Sequence, residues 1–158
     1  MKRAIVVAAL ICGLTGSALA AGSNTLSSQP AAEDPDWLQA KAAIQARQYE
    51  QAVPQLQKVV AKDASNADAF NYLGYTHARA DKAQEALDYY NKALAISPKH
   101  RGANAYLGEL HLKMGNLPAA EDRLKVLDGA CFFGCAEYDI LKATIAEYKA
   151  TGKFVSRK

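Results

Sequence analysis

Two cysteines four residues apart, Cys131 and Cys135, sit in the most unusual run of this 158-residue chain, Asp128-Gly-Ala-Cys-Phe-Phe-Gly-Cys-Ala-Glu-Tyr138. A redox-active pair would want Cys-x-x-Cys spacing within a strand–helix–strand pattern, and neither is present. A haem or zinc site would want Cys-x-x-Cys-His or a second cysteine pair. Gly134 lets the chain turn between the thiols, so a disulfide is expected. Closing so short a loop stabilises by roughly 2 kcal/mol on the chain-entropy estimate. The bridge would act as a staple between flanking elements, with thiol-redox or metal-handling use the lesser alternative.

The other reactive groups are scattered. His77 and His111 stand 34 residues apart, a spacing that points to equivalent structural places, and His100 lies between Lys99 and Arg101, a poor setting for a cation. Glu50, Glu85 and Glu121 are expected near the starts of helices, where negative charge suits the helix dipole. No nucleophile with an adjacent base, no paired carboxylates and no glycine-rich phosphate loop form a recognisable motif. The expectation is therefore no catalytic residue, no cofactor and no metal: a protein that is not an enzyme.

The ends of the chain speak to location. Met1-Lys2-Arg3 is a short basic start, Ala4 to Leu14 is apolar, and Ser17-Ala18-Leu19-Ala20 ends in a small-x-small pattern. Residues 1–20 thus read as a cleavable signal peptide, too short in its apolar part to span a bilayer, which takes about 20 residues. Bulky Ile11 before Cys12 argues against a lipoprotein. Residues 21–34, rich in Ser, Ala, Asn and Pro, read as a flexible leader. Loss of Lys2 and Arg3 from the 19 basic residues leaves 17 against 16 acidic ones, a formal +1. That balance gives no basic stripe for nucleic acid. With Cys12 removed, the remaining even pair of cysteines suits an oxidising compartment, and the expected location is a bacterial periplasm.

From Pro35 onward helix formers and an apolar residue every three or four positions predict an all-α domain over 35–150. Shifted against itself by 34 residues, the chain aligns Ala40 with Gly74 and Gly108, Ala52 with Ala86 and Ala120, and Leu56 with Tyr90 and Leu124. Leu73 falls on Leu107, and His77 on His111. The middle unit, 67–100, is the fullest, with Phe70, Leu73-Gly74, His77, Ala86, Tyr90, Ala93 and Pro98 at regular places. The unit 101–134 replaces the first aromatic by Asn104, and 33–66 replaces Leu-Gly by Gln39-Ala40. On these residues the chain resembles the tetratricopeptide-repeat family, whose unit is a pair of antiparallel helices.

The resemblance implies a right-handed solenoid of three helix pairs. Gly74, Gly108, Ala86 and Ala120 would be the close packing points between paired helices. Pro118 suits the first turn of a helix, whereas Pro54 should bend its helix unless that helix begins late. A further helix over 137–150, with Tyr138, Leu141, Ile145 and Tyr148 on one face, would close the open end of the stack. Gly152 is a good stopping place for it, and 151–158 is a tail.

In this family the first helices of successive units line a groove that takes a peptide or a partner helix. The corresponding residues are Trp37 and Lys41, then Asn71, Tyr75 and Arg79, then Ala105, Glu109 and Lys113. Members that clamp a C-terminal carboxylate use Lys, Asn and Arg where this chain has Trp37, Lys41, Tyr72, Gly102 and Tyr106, which disfavours that ligand class. The expected function is a protein-interaction scaffold or adaptor with no membrane span after signal cleavage. Self-association as a structural protein is the alternative.

Overall fold

The computed structural model describes residues 34–155. The expected signal segment, nearly all of the expected leader and the last three residues lie outside that range. Seven helices and no strand occur among the described residues: α1 Pro35–Gln45, α2 Tyr49–Lys62, α3 Ala67–Arg79, α4 Ala83–Ile96, α5 Arg101–Lys113, α6 Leu117–Ala130 and α7 Ala136–Thr151. None of them is long and apolar enough to cross a membrane.

Local chemistry explains the boundaries. Asp34 accepts from the Asp36 N–H, Asn66 from Ala69 and Asn116 from Ala119, each oxygen satisfying an N–H that a helix start leaves unpaired. His100 does the same for α5, its Nδ1 accepting from Ala103 N–H at 3.1 Å while its Nε2 lies 3.0 Å from Asp68. Gly152, at φ +68°, ends α7. Pro118 sits in the first turn of α6. Pro54 does not delay its helix: α2 begins at Tyr49 and runs through it. The bond forgone is to the Glu50 carbonyl, on a face where both residues are exposed to water.

The turn inside each pair repeats with the sequence period. Arg47, Asp81 and Gly115 have φ of +60°, +59° and +79°. The next N–H in each case reaches back to a helix carbonyl: Gln48 to Ala43, Lys82 to His77 and Asn116 to His111, at 2.8–2.9 Å. Only the third turn has the glycine that this backbone favours. Arg47→Gly should therefore raise stability by about 0.5–1 kcal/mol, relieving the left-handed strain of an L-residue against the extra entropy of glycine. Urea denaturation of the two proteins measures it.

The core is a series of overlapping clusters. Ala40, Ala52, Leu56 and Leu73 bury the first pair against α3. Ala86, Tyr90, Ala93, Ala103, Leu107 and Leu110 join the second pair to α5. Leu112, Ala120, Leu127, Leu141 and Ile145 join the third pair to α7. Each pair thus covers one face of the first helix of the next, as a solenoid requires.

The two repeat glycines differ. A Cβ on Gly74 would lie 2.6 Å from the Tyr90 ring, within its own pair, whereas one on Gly108 would lie 2.6 Å from Leu141 of α7. The expected equivalence of the two contacts fails because the smaller Leu124 stands where Tyr90 does, and the terminal helix fills the space. Ala86 and Ala120 are fully buried beside these contacts. Asn104, at a place where aromatics are usual, is buried and donates to the Pro98 and His100 carbonyls, tying α5 to the preceding turn.

Candidate functional site

A depression of about 480 Å³ opens between α3 and α5. Tyr75 and Arg79 enter it from successive turns of α3, and Tyr106, Glu109 and Lys113 from α5. Residues three or four apart share one helix face, which brings each set together. The α1–α2 turn adds Arg47 and Tyr49, the α3–α4 turn Asp81, and the far wall Ile140 and Phe154.

The tyrosines form a connected wall. Ring centroids lie 6.0 Å apart for Tyr49–Tyr75, 5.1 Å for Tyr75–Tyr106 and 6.4 Å for Tyr90–Tyr106. The Arg79 guanidinium stands 5.9 Å from the Tyr49 ring centroid, a favourable cation–π placement. Burial pushes the Tyr75, Tyr90 and Tyr106 phenols up, so they remain neutral groups able to donate and accept.

The charges are uneven. Lys113 pairs with Asp81 across the turn and holds its carboxyl low. Burial pushes Glu109 up to about 7, against the opposing pull of Arg79. Near neutral pH the groove therefore holds Arg47, Arg79 and Lys113 against Asp81 and a half-ionised Glu109. Flat aromatic faces, hydroxyls and a guanidinium can bind apolar and hydrogen-bonding groups. Tyr and Arg are also among the residues that carry most binding energy at interfaces.

The remaining candidates lie apart. Asn71, 4% exposed, edges a neighbouring depression of about 420 Å³ with Asp68, Tyr72, His100 and Gly102, and its Oδ1 is buried without a partner. Trp37 packs edge-on against Tyr72 at 5.4 Å with Lys41 Nζ 5.7 Å over its ring, and neither lines the groove. Ala105 is turned into the core at 3% exposure, and the groove position beside it belongs to Tyr106. Tyr49 and Phe154 carry no groove signal in the sequence, since one opens a second helix and the other follows the last one.

His77 stacks on Tyr89 at 5.1 Å with both ring nitrogens buried and unpartnered, and burial pushes it toward the neutral form, as it does His111. No three His, Cys, Asp or Glu side chains cluster to hold a metal among the described residues. Glu50 and Glu85 do stand in first turns, but Glu121 lies beyond the first turn of α6 and pairs instead with Lys149 of α7 at 2.6 Å. Cys131 and Cys135 form a close pair with Cα atoms 5.5 Å apart, a separation that a disulfide can span.

Two family models described as tetratricopeptide repeat match the chain, over residues 38–101 and 77–145. No curated protein sequence matches it. Among solved structures, PcrH in complex with the chaperone-binding region of PopD is similar at a TM-score of 0.66 and 18% identity, over 75% of this chain and 91% of that one. The Yersinia enterocolitica type III secretion chaperone SycD, in complex with a peptide of the translocator YopD, gives 0.63 and 19%, over 75% and 92%. The Sgt2 domain from Aspergillus fumigatus gives 0.62 and 16%, over 78% and 86%. At such identities these likenesses show the fold.

Proposed function

Because this chain belongs to the tetratricopeptide-repeat family, we propose that it is a non-catalytic adaptor of the periplasm that holds a peptide or a helix of a partner protein in the α3–α5 groove. The observation that carries this reading is the convergence of Tyr75, Arg79, Tyr106 and Glu109 on one aromatic-walled depression. The PcrH and SycD structures each contain a segment of another protein, which supports a peptide as the ligand class. The basic start, apolar run and Ala18-Leu19-Ala20 support export, and the close Cys131–Cys135 pair suits an oxidising compartment.

The test is affinity capture from periplasmic extract with the wild-type protein beside a Tyr75→Ala/Arg79→Ala variant of matching thermal melt. Asn71 is kept, because its buried side chain packs against Gly102 and its loss would disturb the fold. A partner held by the wild type should bind the variant at least about 30-fold more weakly, the loss of some 2 kcal/mol that hot-spot truncation gives. Equal retention of that partner by both proteins would refute the groove as its site.

A further inference from the structure

Phe132 and Phe133 are 90% and 95% exposed, far more than any other large apolar residue described. They are held rather than trailing. The Gly134 N–H donates to the Cys131 carbonyl at 2.8 Å, Gly134 takes φ +84°, and the two rings meet edge-on at 5.1 Å. With Cys131 and Cys135 paired at its base, the segment is a preformed knuckle, which lowers the ordering cost of binding. Exposed apolar side chains presented together mark interaction sites.

Charge selects the occupant. Asp128, Glu137 and Asp139 surround the two phenylalanines, and no lysine or arginine occurs between Lys125 and Lys142. A surface of lipid phosphates would repel such a knuckle. The α3–α5 groove has the opposite character, a tyrosine wall with Arg47, Arg79 and Lys113 against Asp81 and a half-ionised Glu109. Acidic aromatic knuckle and basic aromatic groove are complementary.

The knuckle does not face its own groove. It precedes the first residue of α7, whereas the groove opens beside the Arg47 and Asp81 turns and Phe154, which follows the last. The 16 residues of α7 put about 24 Å between those ends at 1.5 Å per residue. We infer that Phe132 and Phe133 of one copy insert into the α3–α5 groove of a second copy. The contact joins two different surfaces, so it is heterologous and propagates into chains or rings. This rests on the groove reading and names an occupant that an outside partner would have to displace.

Sedimentation velocity over a micromolar concentration series tests it with four samples: wild type, Phe132→Ala/Phe133→Ala, Arg79→Glu, and an equimolar mixture of the two variants. The wild-type mass should climb with concentration, and each variant alone should associate at least tenfold more weakly. The mixture should form a one-to-one dimer and stop there, since it keeps one intact knuckle and one intact groove. A wild type that stays monomeric, a variant that associates like wild type, or a mixture that remains monomeric overturns the proposal. Partner capture by Phe132→Ala/Phe133→Ala separates the two readings, because a working groove with no self-association leaves the adaptor standing. Wild-type monomer that pelleted with phosphatidylglycerol vesicles, and lost that binding in the Phe132→Ala/Phe133→Ala variant, would assign the knuckle to lipid instead.

Discussion

Tyr90→Ala is expected to lower folding stability by about 3–5 kcal/mol, the range for deleting a buried aromatic ring. Tyr90 is 1% exposed, lies in the cluster that joins the second pair to α5, and rests its ring against the bare backbone of Gly74. Alanine would remove that ring from the closest crossing in the stack, and Gly74 has no side chain with which to fill the gap. Against a total of about 5–15 kcal/mol for a domain, such a loss approaches unfolding. Tyr90→Phe keeps the ring and should stay close to wild type. Paired urea melts of the two variants separate lost packing from lost hydroxyl; similar destabilisation by both would mean that the hydroxyl, not the ring, matters.

Glu109→Gln should stabilise the protein at alkaline pH and leave it nearly unchanged in acid. Burial raises the folded-state pKa of Glu109 from the ordinary 4.5 to about 7. Below 4.5 both folded and unfolded chains hold the proton, and the group has no effect. Between 4.5 and 7 the unfolded chain releases it first, so stability falls as pH rises, and above 7 the full penalty applies. Its size is on the order of 2 kcal/mol, allowing for partial exposure to water. Arg79 on α3 and Lys113 on α5 stay charged through this window, and the neighbouring tyrosines stay neutral. His77 and His111 act in the opposite sense: burial lowers their pKa values, and their neutral forms lose stability for the protein as pH falls below 6.5. Both histidines remain in the variant, so the difference between the two pH–stability curves isolates Glu109. A flat difference from pH 5 to 8 would contradict its burial in the groove.

The fold was legible because period and residue size agree. Gly74, Ala86 and Tyr90 mark one tight crossing, and the same columns recur 34 residues on either side. The groove was legible only where a first helix supplies it, so register alone places Tyr75, Arg79, Glu109 and Lys113 on one wall. Ala105 and Tyr106 show the limit of that rule: they are adjacent, and one residue of rotation decides which is buried and which faces the groove. Tyr49 and Phe154 reach the site from a turn and a tail, which no helical period encodes. The turns at Arg47 and Asp81 were likewise silent, because their left-handed backbone is held by the recurring carbonyl contact and not by residue type. Trp37 looked like a groove residue by register, yet Tyr72 offers its ring a better apolar contact.

The seat of Leu141 over Gly108 bears on how such an array can lengthen. In the middle pair the close contact is internal, Gly74 with Tyr90, so a duplicated copy of that pair would bring its own partner for its glycine. The last pair has no such independence: a copy of residues 101–134 inserted ahead of itself would place a second Gly108 with Leu141 no longer within reach. Growth by duplication is thus open in the middle of this chain and closed at its end, where the third pair and α7 can be inherited only together.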